Sequence, residues 1–300
     1  MVSDRPNRRT FLLAAGVGIA SLAGCQTQQN EAKVPSTETS PEKTTQPQTS
    51  TPSTESETAT TEMEADPDDG LPPATENPPD PVDADPSAFD TIEKEGPNGE
   101  TVSVPLVPID VAINWYRRRE ARFVDARSKT EHQASHITGA VSSPAPSGQD
   151  GDDPVDAWPR SDRVVTYCGC PHYLSSVRAA HLQSSGYEEV YALDEGFTVW
   201  QEQNYPVSGD DVASPSETWT VTGEVPEEYA GEDAIITKDD QMEGTEIAAD
   251  GSYTLHVKFV GVTDETQVTL QTSAYELTES LGTFASGHVT ADGTVVTSKN

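Results

Sequence analysis

Residues 163–186 constrain the fold more than any other stretch of the chain. Arg163-Val164-Val165-Thr166-Tyr167 is rich in β-branched and aromatic residues and reads as a buried strand. It runs into Cys168-Gly169-Cys170-Pro171-His172-Tyr173-Leu174. A helical pattern begins near Ser175 or Ser176, with Val177, Ala180 and His181 on one face, and Gly186 stands where a helix stops. Strand, tight loop and helix in that order define an α/β unit and put a cysteine loop in front of a helix N-terminus. Backbone N–H groups and the helix dipole favour an anion there. A thiolate is such an anion, so the position favours a reactive cysteine.

The flanking sequence continues the alternation, and residues 99–210 read as one α/β domain. Pro108 suits the first turn of a helix whose apolar face is Val111, Trp115 and Ile113. Arg117, Arg118 and Arg119 near its end complement the helix dipole. Phe123-Val124 is a short buried strand that leads into Asp125-Ala126-Arg127.

Three segments of this domain, in this order, resemble the rhodanese homology domain over about a third of the chain. The first is Phe123-Val124-Asp125-Ala126-Arg127 with Glu131, His136-Ile137, Gly139 and Ala140. The second is Val164-Val165-Thr166-Tyr167-Cys168. The third is Gly186-Tyr187, Val190, Leu193-Asp194-Glu195-Gly196-Phe197, Trp200 and Pro206-Val207. The resemblance implies a parallel sheet flanked by helices. It also implies a sulfurtransferase whose cysteine takes a sulfane sulfur from a small donor such as thiosulfate, holds it as a persulfide, and passes it to a thiophilic acceptor. Cys168 is then the catalytic nucleophile. Gly169, Cys170, Pro171, His172, Tyr173, Leu174 and Ser175 form the active-site loop, its amides from Gly169 to Leu174, Pro171 excepted, stabilising the sulfur anion. Asp125 and Arg127 read first as a structural polar pair and His136 as a packed histidine; these three and Arg178, on the following helix, are structural or substrate-facing. No cofactor and no metal are implied.

The loop departs from the family's usual pattern, which contains glycine and often a cation that attracts thiosulfate. Here it reads CGCPHYLSS, and His172 is its titratable group besides the thiols and Tyr173. Counted from the strand, Cys168 holds the nucleophile's place; counted back from Ser176 and Ala179-Ala180, Cys170 does. The other cysteine could resolve a persulfide into a disulfide. Two further readings stand beside the enzyme: a soft metal or redox module using Cys168, Cys170 and His172, and a non-catalytic display protein.

Outside this domain the chain reads differently. Arg8-Arg9 precedes a short apolar run that ends in Leu22-Ala23-Gly24-Cys25. This resembles a twin-arginine export signal with a lipobox over residues 1–25, so Cys25 is the expected lipidation site and the outer face of the membrane the expected location. Residues 26–98, rich in Ser, Thr, Pro, Glu and Gln, read as a disordered stalk. Residues 214–300 alternate polar and β-branched residues between turns at Asp250-Gly251 and Asp292-Gly293, which predicts a small all-β sandwich with no catalytic constellation of its own and a partner unknown. The net charge of −33 repels nucleic acid and anionic membranes and reads as adaptation to high salt, where self-repulsion is screened.

Overall fold

The computed structural model describes residues 69–169, 172–212 and 217–297. The leader with Cys25, the stalk up to residue 68, and Cys170 and Pro171 lie outside the described residues. Among the described residues no helix is long and apolar enough to cross a membrane.

The first part is α/β. Its elements are β1 (Thr91–Glu95), β2 (Thr101–Val107), α1 (Ile109–Arg118), β3 (Arg122–Asp125), α2 (Lys129–Ala134), β4 (His136–Ile137), β5 (Val141–Ser142), β6 (Arg163–Tyr167), α3 (Tyr173–Ser184), β7 (Glu189–Leu193), α4 (Gly196–Glu202) and β8 (Val207–Ser208). Six strands form one sheet in the order β1-β2-β7-β6-β3-β5, and β4 pairs with β8 apart from it. The sheet is parallel from β2 to β5, but β1 adds an antiparallel edge, so the expected parallel sheet is a mixed one.

The central strands are apolar on both faces because helices cover both. Phe123, Val165, Tyr167 and Leu193 pack with Trp115 of α1 and with Phe197 and Trp200 of α4. Their neighbours Val124, Val164, Val190 and Ala192 pack on the other face with Ala179, Ala180 and Leu182 of α3. The expected apolar face of α3 is therefore corrected. Val177 is only half-buried, while both alanines and Leu182 are buried, because α3 is covered by the sheet and by a strand of the second part. Gly186 has φ +93°, which ends α3 with a turn that a side chain would strain.

The segment 69–98 belongs to the folded part rather than to a stalk. Besides β1, it is tied to β3 through Phe123 N, which donates to the carbonyl of Gly70 at 2.7 Å. It is tied to α1 through Asn114 Nδ2, which donates to Asp80 O at 2.9 Å, and Arg118, which donates to Pro79 O at 2.7 Å. Phe89, against Trp115 and Tyr191, and Ile92, on the core beneath α3, are its large apolar anchors. Polar ties to distant side chains leave no periodic trace in a segment, so its composition alone looked unfolded.

The second part pairs two four-stranded sheets. One runs β11 (Gln241–Glu246), β10 (Asp233–Lys238), β13 (Gln267–Gln271), β14 (Glu276–Ser280); the other runs β12 (Ser252–Val257), β9 (Trp219–Glu224), β15 (Gly287–Val289), β16 (Val295–Thr297). Alternation supplies their shared core: Trp219 and Val221 from β9, Tyr253, Leu255 and Val257 from β12, Ile236 from β10 and Leu270 from β13. A short helix, α5 (Leu281–Ser286), puts Leu281 and Phe284 into that core, so the expected all-β domain carries one helical turn pair.

Candidate active site

The cysteine loop leaves the C-terminal end of β6 in the middle of the parallel strands. Cys168 follows Tyr167 directly and is 1% exposed, packed with Ala126, Tyr173 and Leu174. Its thiol donates to Ser175 Oγ at 3.5 Å. Its carbonyl accepts from Phe197 N at 2.9 Å, which joins the loop to the start of α4. The next carbonyl, of Gly169, accepts from Thr198 Oγ1 at 2.7 Å and from Lys258 Nζ at 3.2 Å. Cys168 and Gly169, the start of the loop, are thus held from α4 and from the second part of the molecule.

His172 caps the N-terminus of α3 with φ +74°, a left-handed conformation uncommon away from glycine. Its Nε2 lies 3.3 Å from Asp194, and its Nδ1 is buried with no hydrogen-bond partner among the described residues. Burial lowers its pKa more than Asp194 raises it, with Lys94 adding to the fall, so His172 is neutral at pH 7. Tyr173 and Leu174 are buried, and Ser175 accepts from Thr166 Oγ1 through its carbonyl at 2.8 Å.

Asp125 and Arg127 meet beneath the loop, with bonds of 2.9 and 2.7 Å from the guanidinium to the carboxylate. Burial alone would raise Asp125, but the Arg127 charge and hydrogen bonds from His132 and Arg127 hold it well below the usual carboxylate range. Tyr167 Oη donates to the same carboxylate, and Arg127 also donates to Ser135 O at 2.7 Å and lies over the Phe197 ring. These bonds fasten the ends of β3 and β6 and the turn into β4. Each charge is satisfied within the core by the other.

His136 Nδ1–H donates to the His132 carbonyl at 2.7 Å, and its ring stacks on that of His132. The Arg178 guanidinium donates to Ser143 Oγ at 3.0 Å and to Asp153 at 3.1 Å. Of the structural and substrate-facing readings of Arg178, these bonds fit the structural one.

A cleft of about 220 Å³ opens beside Gly169, bounded by Arg127, Glu131, Phe197, Trp219 and Lys258. Glu131 is 5% exposed, and burial raises its pKa to about 7, with Arg127 and the Ser128 hydroxyl limiting the rise. Lys258 and Glu131 are the functional-looking groups that the sequence reading missed. Glu131 was noted only as part of a family segment, and Lys258 had no local signal. Among the described residues no cluster of metal-ligating side chains is present.

Residues 110–203 match the family model described as "Rhodanese-like domain". Structurally, the chain is similar to a protein from Bacillus halodurans, with 23% identity over 35% of this chain and 76% of that one and a TM-score of 0.31. It is similar to the rhodanese-like domain of a protein from Anabaena, with 22% identity over 38% and 86% and a TM-score of 0.32. A thiosulfate sulfurtransferase from Pseudomonas aeruginosa shares 21% identity over 35% of this chain and 20% of that one, with a TM-score of 0.28. No curated protein sequence matches the chain.

Proposed function

We propose that the chain is a sulfurtransferase that moves a sulfane sulfur through a cysteine persulfide on the β6–α3 loop, with Cys168 as nucleophile. The observation that carries this reading is the placement of Cys168 directly after β6, with its loop anchored to α4 and leading into the N-terminus of α3. In the reaction the thiolate attacks the outer sulfur of thiosulfate or a polysulfide. The donor's S–S bond breaks, and sulfite or the shortened polysulfide leaves with the electron pair. An acceptor nucleophile then attacks the outer sulfur of the persulfide and releases the thiolate unchanged in oxidation state.

The burial of Cys168 supports a second reading, in which Cys170, which has the family spacing when counted from α3, receives the sulfur first. The test is mass spectrometry of the intact protein after exposure to thiosulfate or polysulfide in molar KCl. A gain of one sulfur atom, mapped to Cys168 and lost in Cys168→Ser, is the expected result. A gain that survives in Cys168→Ser and vanishes in Cys170→Ser moves the role to Cys170. No gain with any donor rejects sulfur transfer and leaves a binding or redox module.

The same proposal places the enzyme outside the cell. The Arg8-Arg9 leader supports export by the twin-arginine route, and Leu22-Ala23-Gly24-Cys25 supports a lipid anchor at Cys25. Radiolabelled fatty acid that enters the wild-type protein and not Cys25→Ala checks the anchor.

A further inference from the structure

Lys258 directly follows β12 in the second part of the molecule, yet its amine sits on the cysteine loop. Nζ donates to Thr198 Oγ1 at 2.7 Å and to the Gly169 carbonyl at 3.2 Å, while Thr198 Oγ1 donates to the same carbonyl at 2.7 Å. Gly169 stands between the two cysteines, one residue from each. A Cβ built on Gly169 would be in ordinary contact with both stems, 4.0 Å from that of Lys258 and 3.7 Å from that of Arg127, so both long side chains pack against this residue.

The other charges around the cleft do not replace this amine. Arg127 is committed to Asp125 and the Ser135 carbonyl. Glu131, Asp211 and Glu217, which also line the cleft, are acids. Lys94 lies over the Tyr173 ring and is 3.8 Å from Glu246. His172 is neutral. Among the described residues no carboxylate pairs with Lys258, although the chain has 51 acidic residues against 18 lysines and arginines.

We propose that Lys258 is a positioning residue that completes the sulfur-transfer site, so that the site is a composite of the rhodanese-like domain and the C-terminal β-domain. It rests on the reading that this loop carries a reactive thiolate. Lys258 fixes the Gly169 carbonyl and supplies from another domain the positive charge that the loop's own sequence lacks. A nearby cation favours a thiolate and attracts an anionic donor.

The test is the pH dependence of alkylation by iodoacetamide at the loop cysteines of the full chain, mapped by mass spectrometry, with thiosulfate kinetics beside it. Lys258→Met keeps the apolar stem and removes the charge. It is expected to shift the alkylation midpoint up by about one pH unit, a roughly tenfold slower reaction at neutral pH. It should also raise the KM for thiosulfate more than it lowers kcat. Lys258→Arg is expected to restore most of both. Thr198→Val, which loosens the amine without removing its charge, should give a smaller shift in the same direction. An alkylation curve in Lys258→Met that coincides with that of the wild type overturns the inference, and so does a shift that Lys258→Arg fails to reverse. A wild-type protein that forms no persulfide, while Lys258→Met still shifts alkylation, would reject sulfur transfer but uphold the coupling of Lys258 to the thiol.

Discussion

Arg127 grips Asp125 with two parallel hydrogen bonds of 2.9 and 2.7 Å, both side chains buried beneath the loop that holds Cys168. Removing one member strands the other charge in the interior. Arg127→Met is expected to cost about 3–5 kcal/mol of stability. Urea denaturation in molar KCl measures it. The double replacement Asp125→Leu with Arg127→Met should recover much of that loss, because no buried charge is then left unpaired.

Glu131 contributes a pH dependence of a definite sign. Burial raises its carboxyl from 4.5 to about 7 in the folded protein, so the native state binds this proton more tightly than the unfolded chain does. The contribution to stability is present at low pH and is lost as pH rises from about 4.5 to about 7. Glu131→Gln can still accept the hydrogen bonds from the Ser128 amide and hydroxyl. It is expected to flatten the melting temperature across that window and to exceed the wild type by about 1–3 kcal/mol above it. Melting curves from pH 4 to pH 8 decide it.

Tyr173, the first residue of α3, lies flat against Gly244 of β11. A Cβ on Gly244 would stand 2.1 Å from the ring, so Gly244→Ala must displace the tyrosine. Overpacking of this kind costs about 1–3 kcal/mol. Because Tyr173 leads out of the cysteine loop, the variant should also change the rate of thiol alkylation, which a surface substitution such as Glu228→Gln should leave alone. Equal alkylation rates in the two variants would show that the β11 contact does not hold the loop.

The net charge of −33 predicts a strong dependence on salt. Raising ionic strength from a tenth molar to molar shortens the Debye length from about 10 Å to about 3 Å and screens the self-repulsion of the acidic surface. The melting temperature is expected to rise steadily between these limits in KCl. A flat response would remove the salt-adaptation reading.

Local patterns made the α/β domain readable before any coordinates. The β-branched run Arg163–Tyr167, the turn through the cysteines and the stop at Gly186 follow from backbone preferences within a few residues, so β6 and α3 were legible. So were β9, β10, β12 and β13, whose alternation marks one buried face. The edge strand β1 was not, because Ile92 is its only large apolar side chain and its partner β2 supplies the hydrogen bonds. The short strands β14, β15 and β16 were missed for a similar reason: each is held by its neighbours more than by its own pattern.

The sequence by itself determined the order of strand, cysteine loop and helix, the acidity of the chain, and the two cysteines from which a nucleophile can be drawn. Only the tertiary structure decided what surrounds them. It sent Arg178 to Asp153, left His172 neutral beside Asp194, and brought Lys258 to Gly169 across 89 residues of chain. Such meetings depend on the packing of distant elements, and no periodicity or spacing along the backbone encodes a contact between groups so far apart.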